Sequence, residues 1–403
     1  MLVSLVCFAI FNFLYQIFSV IFVYGLDLFS SSIPTLLRDF WRCGMVLISG
    51  IIARKGLKKY LQIFGKSWII FLVLLIFSVA LSYFVGDGGF SNWLIGIKYG
   101  FWRVFILLSA TLVGWGLYYL GFKSTKGLHS KVKLVLLIIV IIGYIWQLLK
   151  LWKPERFAMM GYNLKLDDFA FGVAPPIYYL TGFEGTLRRG GLFSGPNNYG
   201  YFLVAFLPFV LSQLKNKRDW ILLVLWILAI VLTLSRAAIL GGIIVFILMN
   251  LKRLKEHKKA VLGGGIGFIC LIVLFSLRKW ASTVGHLTGF ITAIQEVFAH
   301  PMGYGLGSSG PAIHHSGKFL PENWHLQILL DIGVLGAGML GLLVGNIWKI
   351  IKTKLTYDEI QLCLYGMIAL MVMGLTLHVF EDSMVNYIFF GFFGVIIGLK
   401  ARE

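Results

Sequence analysis

Long apolar runs recur along the whole chain and constrain its fold more than any other feature. A helix needs about 20 mostly apolar residues to cross a bilayer. About twelve runs near that length can be read from the sequence: 2–24, 34–53, 68–85, 96–120, 133–149, 198–211, 220–234, 237–251, 261–277, 326–347, 362–379 and 384–399. They predict an all-α polytopic membrane protein of about twelve transmembrane helices, with residues 1–403 forming a single integral membrane domain.

The composition agrees with a membrane protein and excludes most soluble classes. Of 403 residues, 59% are hydrophobic and 13% are charged, which is too little charge to cover a soluble surface. The net charge of +19 would suggest nucleic acid as a partner in a soluble protein. Here the basic residues stand in short clusters between apolar runs, and no nucleic-acid-binding motif is present. The lipid bilayer, and not nucleic acid, is therefore the expected partner.

Lysine and arginine mark the end of every second apolar run. Clusters follow the second, fourth, sixth, eighth and tenth runs, at 54–66, 123–133, 215–218, 252–259 and 349–354. Because cytoplasmic loops carry an excess of Lys and Arg, this alternation predicts that both termini are cytoplasmic in a multi-pass protein of the cell membrane. The two long inserts, 150–196 and 278–324, then become extracytoplasmic loops.

A glycine-rich segment with two adjacent arginines precedes the sixth run and reads RRGGLFSGPNN over residues 188–198. Backbone N–H groups of such a turn, guanidinium groups and a helix N-terminus all favour a phosphate. We therefore expect Arg188, Arg189 and Asn197 to bind a phosphate group. Arginines held by lipid headgroups, and capping of the helix by Asn197 or Asn198, are the alternative interpretations.

Arg236 stands at a short break between the seventh and eighth runs. A charge at that depth is costly and usually functional. The alternative is a helix end whose arginine snorkels to lipid headgroups. The predicted topology places Arg236 on the same membrane face as Arg189, which favours a shared anion.

Candidates for proton transfer stand where the tenth run begins. Glu322 and His325 are three residues apart, a spacing that places two side chains on one helical face, and either could act as a general base. Helix capping by the acidic residue is the alternative for Glu322. The segment from His300 to Gly307, which includes Gly305, predicts a substrate-lining loop or a simple turn. No His or acidic cluster has zinc spacing, so no metal is expected.

In this order, the stretches resemble the O-antigen polymerase and ligase family of bacterial envelope glycosyltransferases. The resemblance covers most of the chain and is sharpest between residues 188 and 336. It is carried by RGGLF at 189–193 with Pro196 and Asn197, LSRA at 234–237, His300-Pro301 through Gly305-Leu306-Gly307, Asn323 with Leu326-Gln327, and DIGVLG at 331–336.

The resemblance implies a fold similar to the lipid-dependent GT-C glycosyltransferases and a polyprenyl-pyrophosphate-linked oligosaccharide as donor. It implies that Arg189 and Arg236 hold the pyrophosphate. We also expect Asn323 to line the substrate, and we expect no cofactor. Many family members, especially the ligases, carry His-Asn where this chain has Glu322-Asn323. Glu322 or His325 would then supply the base of a metal-independent, inverting transfer.

Three functions remain open at this point. The first is a polysaccharide polymerase that adds repeat units to an acceptor glycan, in capsule, exopolysaccharide or O-antigen synthesis. Glu322 in the place of histidine favours it over the second, a ligase that transfers finished glycan to a lipid or wall acceptor. The third is a flippase for the same lipid-linked sugar. A chain-length regulator and a flippase are the protein partners that a polymerase would imply.

Overall fold

The computed structural model describes residues 66–86, 89–97, 110–116, 128–152, 188–193, 195–256, 280–310, 321–352, 358–381 and 383–400, with single positions between 40 and 58. All elements in these residues are helices, so the all-α prediction is confirmed for this part of the chain. The predicted runs 2–24 and 261–277 and most of 34–53, 96–120 and the first insert, 150–196, lie outside the described residues. The total of about twelve helices therefore stays a prediction.

The helices are α1 (Lys66–Val85), α2 (Gly89–Gly96), α3 (Leu128–Trp152), α4 (Pro196–Leu211), α5 (Lys217–Leu232), α6 (Arg236–Glu256), α7 (Trp280–Ala299), α8 (Trp324–Lys352), α9 (Asp358–Met373) and α10 (Ser383–Lys400), with a 3-10 turn at Val379–Glu381. Residues 110–116 are also helical. Eight predicted runs coincide with described helices, namely α1, α3 to α6 and α8 to α10. The expected boundaries differ from the observed ones by a few residues, as helix ends usually do.

Helix α7 lies inside the second insert, 278–324, which was expected to be a long loop. Its residues Ala293, Ile294 and Val297 pack against Leu326 and Leu330 of α8. The apolar residues of α7 are interrupted by polar ones, so they form no continuous run of spanning length. The insert therefore contains a helix that docks on the bundle.

Helix α4 is the centre of the bundle, and 13 of its 16 residues are buried. Gly195 is the N-cap and Pro196 stands in the first turn, where a missing N–H costs nothing. Helices α5, α6 and α9 surround α4. The backbones approach closely at Gly366 of α9, where a Cβ atom would lie 2.3 Å from the carbonyl oxygen of Ala205. Such contacts through small residues are typical of helix packing in membranes.

Large apolar side chains cover the outside of several helices. Helix α5 buries Leu222 and Trp226 and exposes Ile221, Val224 and Leu228, so both of its faces are apolar. Within the described residues, two helical segments are long and apolar enough to cross a membrane, His129–Leu149 and Trp324–Gly345. An apolar surface of this extent is unusual for a soluble monomer.

Polar side chains collect at two opposite ends of the bundle, where termini of α3 to α6, α8 and α9 lie close together. The Lys133 end consists of His129, Lys133, Ser212, Asp219 and Glu359. The Arg189 end consists of Arg188, Arg189, Arg236, Glu322 and His378. All residues that the sequence marked as pyrophosphate ligands belong to the Arg189 end or contact it.

Candidate functional site

The segment 188–193 is attached to the end of α5 by hydrogen bonds that fix both arginines. The N–H of Arg189 donates to the carbonyl of Leu232 at 2.9 Å. The Nε of Arg188 donates to the carbonyl of Thr233 at 2.9 Å, and its Nη2 donates to Oδ1 of Asn197 at 2.8 Å. Asn197 therefore orients Arg188. The expectation that Asn197 or Asn198 caps α4 is wrong, because the N-cap is Gly195.

The turn of this segment depends on Gly191. Its φ is +54°, and a Cβ atom there would lie 2.9 Å from the ring of Tyr199. A side chain is disfavoured both by this backbone conformation and by the ring. Phe193, which follows the turn, stacks against Tyr199, with ring centroids 5.5 Å apart. The aromatic pair holds the arginine-bearing segment against α4.

The Arg189 guanidinium is not neutralised by the described residues. Its Nη1 atom is buried and has no hydrogen-bond partner among them. Burial lowers the pKa of this guanidinium, while Tyr144 of α3 opposes the shift. Because an arginine remains charged in proteins, the chain here keeps a desolvated cation with a spare donor. Such a group is costly unless an anion binds to it.

Arg236 is the first residue of α6 and lies four positions after Leu232, which holds Arg189. A tight turn at Leu234, with φ of +50°, connects α5 to α6. A cation at the N-terminus of a helix is repelled by the macrodipole. The Glu322 carboxyl offsets this repulsion, because the charge of Arg236 is close enough to act on it.

Glu322 lies just before α8 and is not part of it, because its φ is +44°. Its Oε2 atom is 2.5 Å from Nδ1 of His286, which α7 contributes. The hydrogen bond from His286 lowers the pKa of the Glu322 carboxyl. The charges of His286, His378 and Arg236 lower it further, against the opposing effect of burial. Glu322 is therefore a carboxylate at neutral pH, held between a histidine and an arginine.

Glu322 and His325 do not share a helical face, and that expectation is wrong. The helix begins at Trp324, after Asn323, whose Oδ1 accepts from the N–H groups of His325 at 2.9 Å and Leu326 at 3.1 Å. The left-handed residue Glu322 turns towards α7, whereas Nε2 of His325 lies 2.9 Å from the carbonyl of Met371 on α9. The three-residue spacing holds only inside a helix.

The expected substrate-lining residues have structural contacts instead. Asn323 is 2% exposed, and besides capping α8 it donates through Nδ2 to the carbonyl of Leu375 at 2.9 Å. Gly305 has φ of +91°, and a Cβ atom there would lie 2.8 Å from Cα of Gly86. His300 is exposed and contacts Tyr304 and Glu296. None of these contacts involves a residue of the Arg189 end. A substrate-lining role for these residues stays a prediction.

The glycine-rich loop 300–310 is bound to α8 where that helix breaks at Gly333, whose φ is 53°. The N–H of Val334 donates to the carbonyl of Pro301 at 2.8 Å. The buried carboxyl of Asp331 accepts from Ser308 at 3.0 Å and from the hydroxyl of Ser309 at 2.8 Å. The alternating glycines of this stretch therefore allow close backbone packing, Gly303 against α8 and Gly305 against the end of α1.

His378 belongs to the Arg189 end and was missed by the sequence analysis. It follows α9, in a connection that is tied to the start of α8 by the hydrogen bond from Trp324 N–H to the Gly374 carbonyl, 2.9 Å long. Its Nδ1 atom lies 2.8 Å from Oε1 of Gln327, and its Nε2 atom is buried without a hydrogen-bond partner among the described residues. An ionisable residue at the end of an apolar run was the signal that could have indicated it.

The Arg189 end thus combines two guanidinium groups, an ionised carboxylate and a buried imidazole. Cations of this kind hold a phosphate or pyrophosphate, and the carboxylate and imidazole can orient a hydroxyl or take its proton. Among the described residues no group of three or more His, Cys, Asp or Glu is placed to hold a metal ion. His314 and His315 lie outside the described residues.

Comparison with known proteins adds no relative. No protein-family model matches the chain, and a search of the curated proteins finds no match either. The residues of the Arg189 end, and the motifs that they belong to, therefore carry the function proposed below.

Proposed function

We propose that this protein is a multi-pass membrane glycosyltransferase, a polysaccharide polymerase. It transfers oligosaccharide repeat units from a polyprenyl-pyrophosphate carrier to a growing glycan on the outer face of the cell membrane. The observation that carries the proposal is the attachment of Arg189 to the α5–α6 junction that bears Arg236, next to the Glu322 carboxylate. Segments from distant parts of the chain come together there: the backbone of Arg189 is bonded to the end of α5, and the charge of Arg236 acts on Glu322.

The exposed apolar side chains support a bilayer around the bundle, because burying them in lipid removes them from water. The Lys133 end carries Lys131, Lys133, Lys215, Lys217 and Arg218, and the excess of Lys and Arg on cytoplasmic loops assigns that end to the cytoplasm. The Arg189 end then faces outward, where neither ATP nor nucleotide sugars are available. A donor activated beforehand and carried across by a lipid meets this requirement.

A pyrophosphate leaving group matches the charges of the Arg189 end. Transfer breaks the bond between the anomeric carbon and the phosphate oxygen, and polyprenyl pyrophosphate leaves with the electron pair. An acceptor hydroxyl forms the new bond from the opposite face, which inverts the anomeric carbon, and its proton passes to a base. Arg189 and Arg236 stabilise the charge that develops on the leaving oxygen. The spare donor at Nη1 of Arg189 is available for this contact.

The test uses purified full-length protein in vesicles with a polyprenyl-pyrophosphate-linked oligosaccharide. A polymerase releases free polyprenyl pyrophosphate and lengthens the glycan one repeat at a time. Release without lengthening, with glycan moved onto a lipid or wall acceptor, would indicate the ligase. Movement of the intact lipid-linked sugar between leaflets, with no release, would indicate the flippase and contradict the proposal.

A further inference from the structure

Buried next to Glu322 is an imidazole whose tautomer can be assigned from its partners. The Glu381 carboxylate can only accept hydrogen bonds, and Nε2 of Gln327 lies 2.5 Å from its Oε1 atom. The amide nitrogen of Gln327 therefore faces Glu381, and its oxygen faces Nδ1 of His378 at 2.8 Å. Because an amide oxygen only accepts, Nδ1 of His378 carries the hydrogen. The other ring nitrogen, Nε2, has a lone pair.

That lone pair has no partner among the described residues, since Nε2 of His378 is buried and makes no hydrogen bond there. A buried acceptor without a donor costs free energy. Such groups persist where a ligand supplies the missing donor, and an acceptor hydroxyl would do so here. From this geometry we propose that Nε2 of His378 accepts the proton of the acceptor sugar hydroxyl, and that Gln327 and Glu381 fix its tautomer.

The electrostatic setting suits this role. Burial lowers the pKa of His378 to about 4, while the charge of Glu322 raises it, so the imidazole is neutral and able to accept a proton at neutral pH. A bound pyrophosphate would add negative charge and raise the basicity of the ring during the reaction. After transfer, the imidazolium is stabilised by Glu322 and, through Gln327, by the Glu381 carboxylate.

The inference rests on the proposed function and removes the base role from Glu322 and His325. The Glu322 carboxylate already receives the hydrogen bond of His286, and its lowered pKa makes it a weak base. Glu322 is better suited to stabilise positive charge on His378 and to fix the arrangement of the neighbouring side chains. His325 has its Nε2 atom on the Met371 carbonyl of α9, away from the Arg189 end.

The experiment separates binding from transfer in the full-length protein. We expect His378→Asn to reduce the rate of sugar transfer by about 10²- to 10⁴-fold and to leave the affinity for polyprenyl pyrophosphate within about twofold. His325→Asn, the matched control, should retain most of the rate. Imidazole added to a His378→Ala variant should restore transfer in proportion to its concentration. Loss of affinity together with rate, or transfer by His378→Asn at the wild-type rate, would overturn the assignment.

Two further variants keep the test decisive. Gln327→Met retains the imidazole but removes the group that fixes its tautomer, so we expect a loss of about tenfold in rate with affinity intact. It replaces His378→Asn if that variant does not fold, and a full rate in Gln327→Met would then refute the inference. Arg236→Lys reports on the proposed function instead. If Arg236→Lys abolishes affinity and His378→Asn changes nothing, only the base assignment fails; if the wild-type protein releases no polyprenyl pyrophosphate, the function itself fails.

Discussion

The two polar ends of the bundle differ in how completely their charges are matched. At the Lys133 end, Nζ of Lys133 donates to the carbonyls of Ser212 and Gln213 and lies 3.7 Å from Oδ1 of Asp219. The other carboxylate oxygen of Asp219 accepts from the N–H groups of Lys215 and Asn216, each at 3.1 Å. Every group of this ion pair has a protein partner. Nε2 of His129, at the same end, makes no hydrogen bond, but it lies 3.5 Å from Oε1 of Glu359.

At the Arg189 end the matching is incomplete. The Arg189 guanidinium and the His378 imidazole each keep one buried nitrogen without a partner among the described residues. Buried polar groups almost always have hydrogen-bond partners. We therefore infer that the Lys133 ion pair stabilises the fold, whereas the unpartnered nitrogens of Arg189 and His378 bind a ligand. Variants at the two ends should therefore fail in different ways.

The largest effect is expected for the arginines. Arg236→Ala and Arg189→Ala should each reduce the release of polyprenyl pyrophosphate by about 10²- to 10³-fold, because each removes a cation from the developing oxyanion. Arg236→Lys should also be impaired, since it loses the planar fork of donors. Arg218→Ala, whose side chain donates to Ser130 at the opposite end, is the control and should keep the wild-type rate. Release within threefold of wild type in both arginine variants would contradict a ligand-binding role for the Arg189 end.

The next effect concerns stability at the Lys133 end. Lys133→Met should lower the free energy of unfolding by about 3 kcal/mol, because it leaves a buried carboxylate without its cation. Denaturant titration in detergent micelles measures this change. Lys131→Met removes an exposed lysine two residues away and should change the free energy by less than about 0.5 kcal/mol. Equal stability of the two variants would show that the buried ion pair is not structural.

A smaller effect should appear in the pH dependence of stability. The pKa of His378 is about 4 in the folded protein, against an ordinary value of 6.5. The unfolded chain therefore binds more protons between these values, and the free energy of unfolding should fall as the pH is lowered from 6.5 towards 4. The loss is on the order of 2 kcal/mol. Glu322, whose pKa is also lowered, adds a loss of the same sign only below its unfolded value of 4.5.

Thermal unfolding measured from pH 4 to pH 7.5 would check this behaviour. His378→Asn should flatten the slope between pH 4 and pH 6.5 and leave the region above it unchanged. An unchanged slope in His378→Asn would contradict a buried, neutral imidazole at this position.

The smallest effect is expected at the turn that carries the arginines. Gly191→Ala places a side chain at φ of +54° and against the Tyr199 ring, which costs about 1–2 kcal/mol. We expect the affinity for polyprenyl pyrophosphate to fall about tenfold, because the turn must shift to relieve the contact. Gly190→Ala is the matched control, since its Cβ atom would have no neighbour closer than 3.4 Å. Equal affinity of the two variants would show that the turn does not position Arg189.

Local properties of the sequence were enough to predict many of the helices and the arginines of the candidate site. Hydropathy predicted eight of the described helices, since a run of apolar residues needs no knowledge of its neighbours. The Lys and Arg clusters predicted an orientation, and this stays a prediction. Arg188, Arg189 and Arg236 were chosen because adjacent cations, glycines and a break between apolar runs can be read from the chain itself.

Contacts between distant residues were decided only by the tertiary structure. His286 reaches Glu322 from a helix that the sequence analysis read as loop. In the group of Glu381, Gln327 and His378, Gln327 is more than 50 positions from the other two residues. The local sequence around each residue does not predict these contacts. The left-handed turn at Glu322 separated it from His325, although their spacing suggested a common face. Burial and the direction of a side chain depend on which helices pack together, and a one-dimensional pattern does not contain that information.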